Sequence, residues 1–216
     1  ARLSWLSGAD VFKLSEDKSN PVKRRVGFIL VSNRSDSSTI IDRSLTSRDQ
    51  GPMTICIRQA TDADFDQIWP IFNNVVSAGD TYGYRTDTDK AQAQHLWMQY
   101  PRVTYVAEED QRILGTYYLK TNHDGPGAHV CNCGYMVAPA ARGRGLATRM
   151  CEHSQQEAVR MGYRAMQFNF VAASNEGAVR LWTKLGFATV GRLPRAFAHP
   201  KLGDVDALVM YKWLAA

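Results

Sequence analysis

The sequence predicts an α+β fold: a mixed, mostly antiparallel sheet with one parallel pair of central strands and flanking helices. Two observations carry this. Apolar and β-branched runs near 103–108, 113–120 and 129–137 follow one another through short polar links, and strands joined so closely pair antiparallel. From Val137 the chain instead passes through a glycine-rich turn and a long helical stretch before a further apolar run at 164–173. A strand–helix–strand crossover places its two strands parallel. The resulting order, β-αα-βββ-α-β-α-ββ, is not that of a doubly wound sheet.

The elements are justified in turn. Residues 54–58 form a short first strand. Thr61-x-x-Asp64 opens a helix in capping-box fashion, and it runs to about Val76 with Pro70 inside, where a kink is expected. A loop over 77–87 leads to a second helix over about 88–100. The hairpin 103–108/113–120 turns on polar residues. Asp124-Gly125-Pro126-Gly127 is a loop, and 129–137 is the next strand. Arg142 to Gly145 is a turn from which a helix extends to Met161, stopped by Gly162. Residues 164–173 are a strand, Asn175 to Leu185 a helix closed by Gly186, and 187–192 and 205–213 the last strands.

The chain has 216 residues, 44% hydrophobic and 22% charged, enough for one domain with its own core. Residues 1–52 read differently. They hold a basic cluster (Lys23, Arg24, Arg25), a polar stretch over 32–50 and one strand candidate, 26–31. They are expected to be a poorly ordered extension, with the folded domain over 53–216. The net charge of +5 is spread over both parts and does not argue for nucleic-acid binding. No apolar run is long enough for a membrane span, and no signal peptide is evident at the N-terminus. The four cysteines, Cys56, Cys131, Cys133 and Cys151, make neither a disulfide scaffold nor a zinc pattern. Reduced thiols, no bound metal and a cytoplasmic location are the expectation.

The informative segment is Val137-Ala-Pro-Ala-Ala-Arg-Gly-Arg-Gly-Leu-Ala147. A strand ends, proline prevents its continuation, and a tight turn opens a helix. The N–H groups of Gly143, Arg144, Gly145, Leu146 and Ala147 have no intrahelical partners and carry the positive end of the helix dipole. A pyrophosphate fits such a concavity. Gly143 and Gly145 let the backbone approach it, and Arg142 and Arg144 add charge. The segment is neither a Walker loop nor G-x-G-x-x-G, and taken alone it also reads as a plain basic turn capping a helix.

Arg142-x-x-Gly145-x-Ala147 resembles the Q/R-x-x-G-x-G/A signature of the GCN5-related N-acetyltransferase (GNAT) family, at the same strand-to-helix junction. Asn175-x-x-Ala178-x-x-Leu181-Trp182-x-Lys184-x-Gly186-Phe187 resembles that family's later helix. The likeness covers residues 54 to 213. It implies acetyl-CoA as co-substrate, bound where the two parallel strands splay apart, and direct transfer to an amine. Strand amides near Met136 and Val137 would meet the thioester and pantetheine carbonyls and stabilise charge developing on oxygen. Asn175 resembles the family's cofactor-contacting asparagine. Trp182 replaces the tyrosine that many members use as an acid. Indole N–H cannot serve so, and Ala178, Leu181, Trp182 and Leu185 form a core-facing stripe, so Trp182 is expected to pack, against the pantetheine arm.

Asn132 and Asn169 sit mid-strand among residues expected to be buried, where an amide needs partners. Each bonds neighbouring backbone, or both face the opening and hold substrate. Leu114 to Asn122, Cys131 to Val137, Phe168 to Val171, Leu181 to Leu185 and Gly79-Asp-Thr-Tyr82 resemble the branch that detoxifies proline analogues such as L-azetidine-2-carboxylate. That resemblance implies catalytic and substrate-binding roles for Asn132 and Asn169, a substrate contact by Tyr82, and a small amino or imino acid as acceptor. The alternatives are a protein N-terminal or lysine acetyltransferase and a non-enzymatic acyl-CoA-binding module. Asp80, His129 and His199 are candidate proton acceptors, and a homodimer through the C-terminal strands is a further expectation.

Overall fold

The computed structural model describes residues 55–214. The expected extension 1–52, with its strand candidate at 26–31, lies outside the described residues. The strands are β1 Cys56–Gln59, β2 Val103–Glu109, β3 Arg112–Thr121, β4 Val130–Val137, β5 Ala165–Ala172, β6 Ala188–His199 and β7 Gly203–Trp213. The helices are α1 Phe65–Ser77, α2 Lys90–Gln94, α3 Leu146–Arg160 and α4 Glu176–Lys184. They form one seven-stranded sheet in the order β1-β2-β3-β4-β5-β7-β6. Every neighbouring pair is antiparallel except β4–β5.

Alternation along the strands gives the sheet two covered faces. Tyr117, Leu119, Cys131 and Cys133 point to one face and pack with Leu146 and Met150 of α3 and Trp182 of α4. Val106, Tyr118 and Met136 point to the other, against Phe65, Ile68 and Phe72 of α1 and Trp97. Cys131 and Cys133 are thus small core residues, and desolvation pushes the Cys131 thiol up to about 12.

Local signals account for most element ends. Thr61 and Asp64 make the capping box, ahead of a 3-10 turn at Asp62–Asp64 that feeds α1, which continues through Pro70. Asp110 and Gln111 turn the β2–β3 hairpin with φ of 49° and 63°. Gly162 and Gly186 end α3 and α4 in the left-handed region, at φ 89° and 88°.

Two elements differ from expectation. The second helix starts later, after the Asp89–Gln92 capping box, and is α-helical only to Gln94. Residues His95–Gln99 widen into a π turn, closed by Tyr100 N–H donating to His95 C=O at 2.8 Å. Trp97 lies in this turn, fully buried, and its indole N–H donates to Thr116 Oγ1 at 3.0 Å. That tertiary bond is invisible to periodicity. The sixth strand extends past 192 to His199, because Pro194 lies in the bulged edge strand, where no ladder donor is missed. Arg195, at φ 53°, donates its N–H to Asp206 Oδ1 at 2.9 Å.

Candidate active site

The site arises where β4 and β5 stop pairing. Their ladder is three residues long: Val130↔Ala165, Cys131↔Met166 and Asn132↔Gln167. The Asn132 side chain marks the fork. Its Nδ2 donates to the Gln167 carbonyl at 2.9 Å, and its Oδ1 accepts from Tyr118 O–H at 3.0 Å. Beyond it the strands diverge and two clefts open.

The larger cleft, about 730 Å³, is lined by Met136, Val137, Arg142, Gly143, Gly145, Leu146, Ala147 and Thr148, and by Asn175 and Trp182 on the far wall. Its floor is the turn before α3. Among the described residues, no backbone acceptor takes the N–H groups of residues 143–148. These six donors are free of backbone partners at the positive end of a 15-residue helix, and five of the six residues, all but Arg144, line the cleft. Gly143 and Gly145 have φ of 75° and 73°, and nothing among the described residues lies within 4 Å of where a Cβ would stand. This is a cradle for a polyanion, and its size suits a large cofactor arm. Arg142 lines it. The Arg144 guanidinium does not: it makes paired bonds to Glu109 at 3.0 and 2.7 Å and holds that carboxyl below its usual range. The expectation that Arg144 adds charge to the cradle is corrected: its guanidinium is committed to Glu109, and the residue is not among those lining the cleft.

A second correction concerns the strand amides. Ala138 N–H donates to Leu114 C=O and Asn122 N–H to Val130 C=O, both across β3–β4. In an antiparallel ladder, backbone groups alternate between the two neighbours. The register Thr116↔Met136 then commits the Met136 amide to β3, while Tyr135 and Val137 present theirs to the opening. Val137, and not Met136, is the available donor, and Tyr135 joins it.

The smaller cleft, about 340 Å³, is lined by Lys120, Asn132, Tyr135, Phe168 and Asn169 with Tyr118 and Tyr84. Thr81, Tyr82, Tyr135, Asn175, Ala178 and Trp182 line both clefts, so the two meet there. Tyr82 bridges the gap by donating its O–H to Tyr135 C=O at 2.8 Å; burial raises its phenol well above the ordinary value. Trp182 packs on Tyr135 and Phe168, with ring centroids 5.0 and 5.1 Å away. Asn175 is the N-cap of α4: its Oδ1 accepts from Ala178 N–H at 3.2 Å, which leaves its NH₂ for the cleft.

Asn132 and Asn169 do share one cleft, yet each is also held by protein. Asn169 Oδ1 accepts from Gln167 Nε2 at 2.8 Å, and its Nδ2 donates to Asn122 Oδ1 at 2.7 Å. Each amide keeps one N–H over. Of the three candidate proton acceptors, Asp80 lines the larger cleft. His129 contacts the Pro126 carbonyl, and His199 takes the N–H groups of Lys201 and Leu202 in its own turn. Thr81 and Lys120 are among the cleft residues that the sequence reading did not single out. Thr81 has a buried hydroxyl without a hydrogen-bond partner among the described residues. Lys120, near the end of β3, lines the smaller cleft. Among the described residues, no group of three or more metal-ligating side chains is suitably placed, and no helix is long and apolar enough to cross a membrane.

A sheet that splits beside a donor-lined helix start defines the class of fold that holds an acyl-CoA between parted strands. The chain belongs to the acetyltransferase (GNAT) family, whose pattern matches residues 66–187. A GCN5-related N-acetyltransferase from Kribbella flavida is 44% identical and superposes with a TM-score of 0.70, covering 74% of this chain and 97% of that one. N-acetyltransferase aca1 of Schizosaccharomyces pombe is 34% identical over 100 residues, 45% of this chain and 47% of its own. The chain thus spans less than half the length of that curated relative. A GNAT superfamily phosphinothricin acetyltransferase from Sinorhizobium meliloti, solved in complex with acetyl-CoA, is 21% identical with a TM-score of 0.66, covering 76% of this chain and 90% of that one. At that identity the likeness concerns the fold.

Proposed function

We propose that this protein is an acetyl-CoA-dependent N-acetyltransferase acting on a small amine, an amino or imino acid of the proline-analogue type. The observation that carries the proposal is the junction of the two clefts. The donor-lined cradle opens at Tyr82, Tyr135, Asn175 and Trp182 into a second space of about 340 Å³, which suits a small acceptor. Bound acetyl-CoA supplies an activated acyl thioester. The amides of residues 143–148 hold its diphosphate, and Arg142 adds a charge. The N–H groups of Val137 and Tyr135 face the opening and stabilise negative charge developing on the acyl oxygen. Asn132 and Asn169 use their remaining N–H groups on the acceptor, whose nitrogen is thereby held beside the acyl carbon. The C–S bond breaks as the N–C bond forms, and the amine proton leaves through water toward Asp80.

The site's own chemistry supports direct transfer. Cys133 borders the smaller cleft, but its side chain packs in the core under α3 and burial raises the thiol well above the usual value, so it is a poor nucleophile. Trp182 packs, and its indole N–H is far too weak an acid to protonate a thiolate, so the thiolate leaves unassisted by that residue. The test is a thiol-release assay with acetyl-CoA over a panel of amino acids, azetidine-2-carboxylate and lysine-bearing peptides. Release with the small acceptors is expected. Release with peptides alone would favour the protein-acetylating reading, and tight coenzyme binding without turnover would favour a binding module. Asn169→Ala should lower turnover about tenfold or more while leaving coenzyme affinity nearly unchanged, the loss of one hydrogen bond to a charged group.

A further inference from the structure

We infer that Lys120 reads the acceptor's charge: the smaller cleft selects amines that carry a carboxylate, which Lys120 pairs, and rejects amines that carry only positive charge. The inference rests on the acetyltransferase reading above and adds the residue that decides the acceptor class.

Among the described residues, Lys120 is the one charged residue lining that cleft. Its ammonium sits 5.0 Å from the Tyr100 ring centroid and 5.5 Å from that of Tyr118. It makes no ion pair among the described residues, whose nine salt bridges all lie elsewhere. Two tyrosine faces compensate a half-buried ammonium only in part, because cation–π attraction replaces neither hydration nor a carboxylate. The register places Lys120 directly opposite Asn132 on the same face of the sheet. The donors left over on Asn132 and Asn169 line the same space. A wall of one cation and spare amide donors, with no acid among the described residues, complements a carboxylate. It opposes a lysine side chain or a polyamine by like charge in a site of reduced dielectric.

The experiment measures binding by calorimetry in the presence of coenzyme A, where no acetyl is available. The probes are azetidine-2-carboxylate and azetidine-2-carboxamide, which share ring and amine and differ in charge. The proteins are wild type, Lys120→Met and Lys120→Arg. Wild type should prefer the carboxylate by about tenfold or more, as for a hydrogen-bonded charge pair. Lys120→Met should lose the preference, and Lys120→Arg should keep part of it. Coenzyme affinity should be equal in all three, and in turnover Lys120→Met should raise KM for the carboxylate with kcat little changed. Equal binding of both probes by wild type, or a preference that survives in Lys120→Met, overturns the inference. If neither probe binds but another amine is turned over, the imino-acid reading fails separately. Lys120 is then judged on that amine: an acceptor without an anionic group, with KM unmoved in Lys120→Met, overturns it too.

Discussion

At Gly134 an added methyl carbon would stand 2.8 Å from Cε1 of Tyr118, a distance at which the ring must move. That ring donates the hydrogen bond that fixes Asn132 at the fork. Gly134→Ala should therefore cost roughly 1–3 kcal/mol of stability, the usual penalty of overpacking. It should also depress acceptor turnover more than coenzyme affinity; denaturant titration and steady-state kinetics check both. Gly145 is a glycine for another reason. Space around it is open, and its φ of 73° is what excludes other residues. Gly145→Ala should cost about 1 kcal/mol in stability for the left-handed conformation alone. Gly145→Glu adds a carboxylate among the free amides and should weaken coenzyme binding further, by about tenfold. Calorimetric titration separates the two substitutions; equal coenzyme affinity for Ala and Glu would remove the cradle from the diphosphate.

Asn175 carries two jobs at the scale of an element, and they can be pulled apart. Its Oδ1 caps α4, and its NH₂ faces the junction of the clefts. Asn175→Ala should lose the cap, about 1 kcal/mol in a thermal melt. Asn175→Asp keeps the cap and should hold stability, yet it swaps the spare donor for a carboxylate and should weaken coenzyme binding. These local devices were legible in the sequence: the Thr61–Asp64 box, the glycine stops of α3 and α4, and the glycine turn at 143–145 all announce themselves over a few residues. The fork was legible only through resemblance, because it depends on a short ladder between residues 35 positions apart, Asn132 and Gln167. The turning of Arg144 to Glu109, the commitment of the Met136 amide to β3 and the isolation of Lys120 are products of cross-strand register and side-chain partners. No periodicity encodes them, and a residue's type alone left Lys120 indistinguishable from a solvated strand end.

Across the whole molecule, the edge of the sheet is tied to the first helix by one charged cluster. The Arg58 guanidinium of β1 makes paired bonds to Asp64 at 2.9 and 2.8 Å and also reaches Glu108 of β2. Asp64 accepts in addition from Thr61 N–H at 2.7 Å, so the capping box of the 3-10 turn ahead of α1 and the β1–β2 edge share one carboxylate. The bonds from Arg58, helped by those from Thr61, outweigh desolvation and hold the Asp64 carboxyl well below the usual carboxylate range. A carboxyl that titrates lower when folded than when unfolded stabilises the fold in its ionised form. That contribution is complete above the unfolded value of about 3.9 and is lost progressively as pH falls below it toward the folded value. Asp64→Asn should cost roughly 1.5–3 kcal/mol at pH 7, the range for hydrogen bonds to charged groups. Urea unfolding of wild type and variant should then show a gap that is constant from neutral pH down to about pH 5 and closes below about pH 4. A gap of unchanged size at pH 3 would mean that Asp64 contributes through packing and neutral hydrogen bonds, with the ion pair to Arg58 worth nothing to the fold.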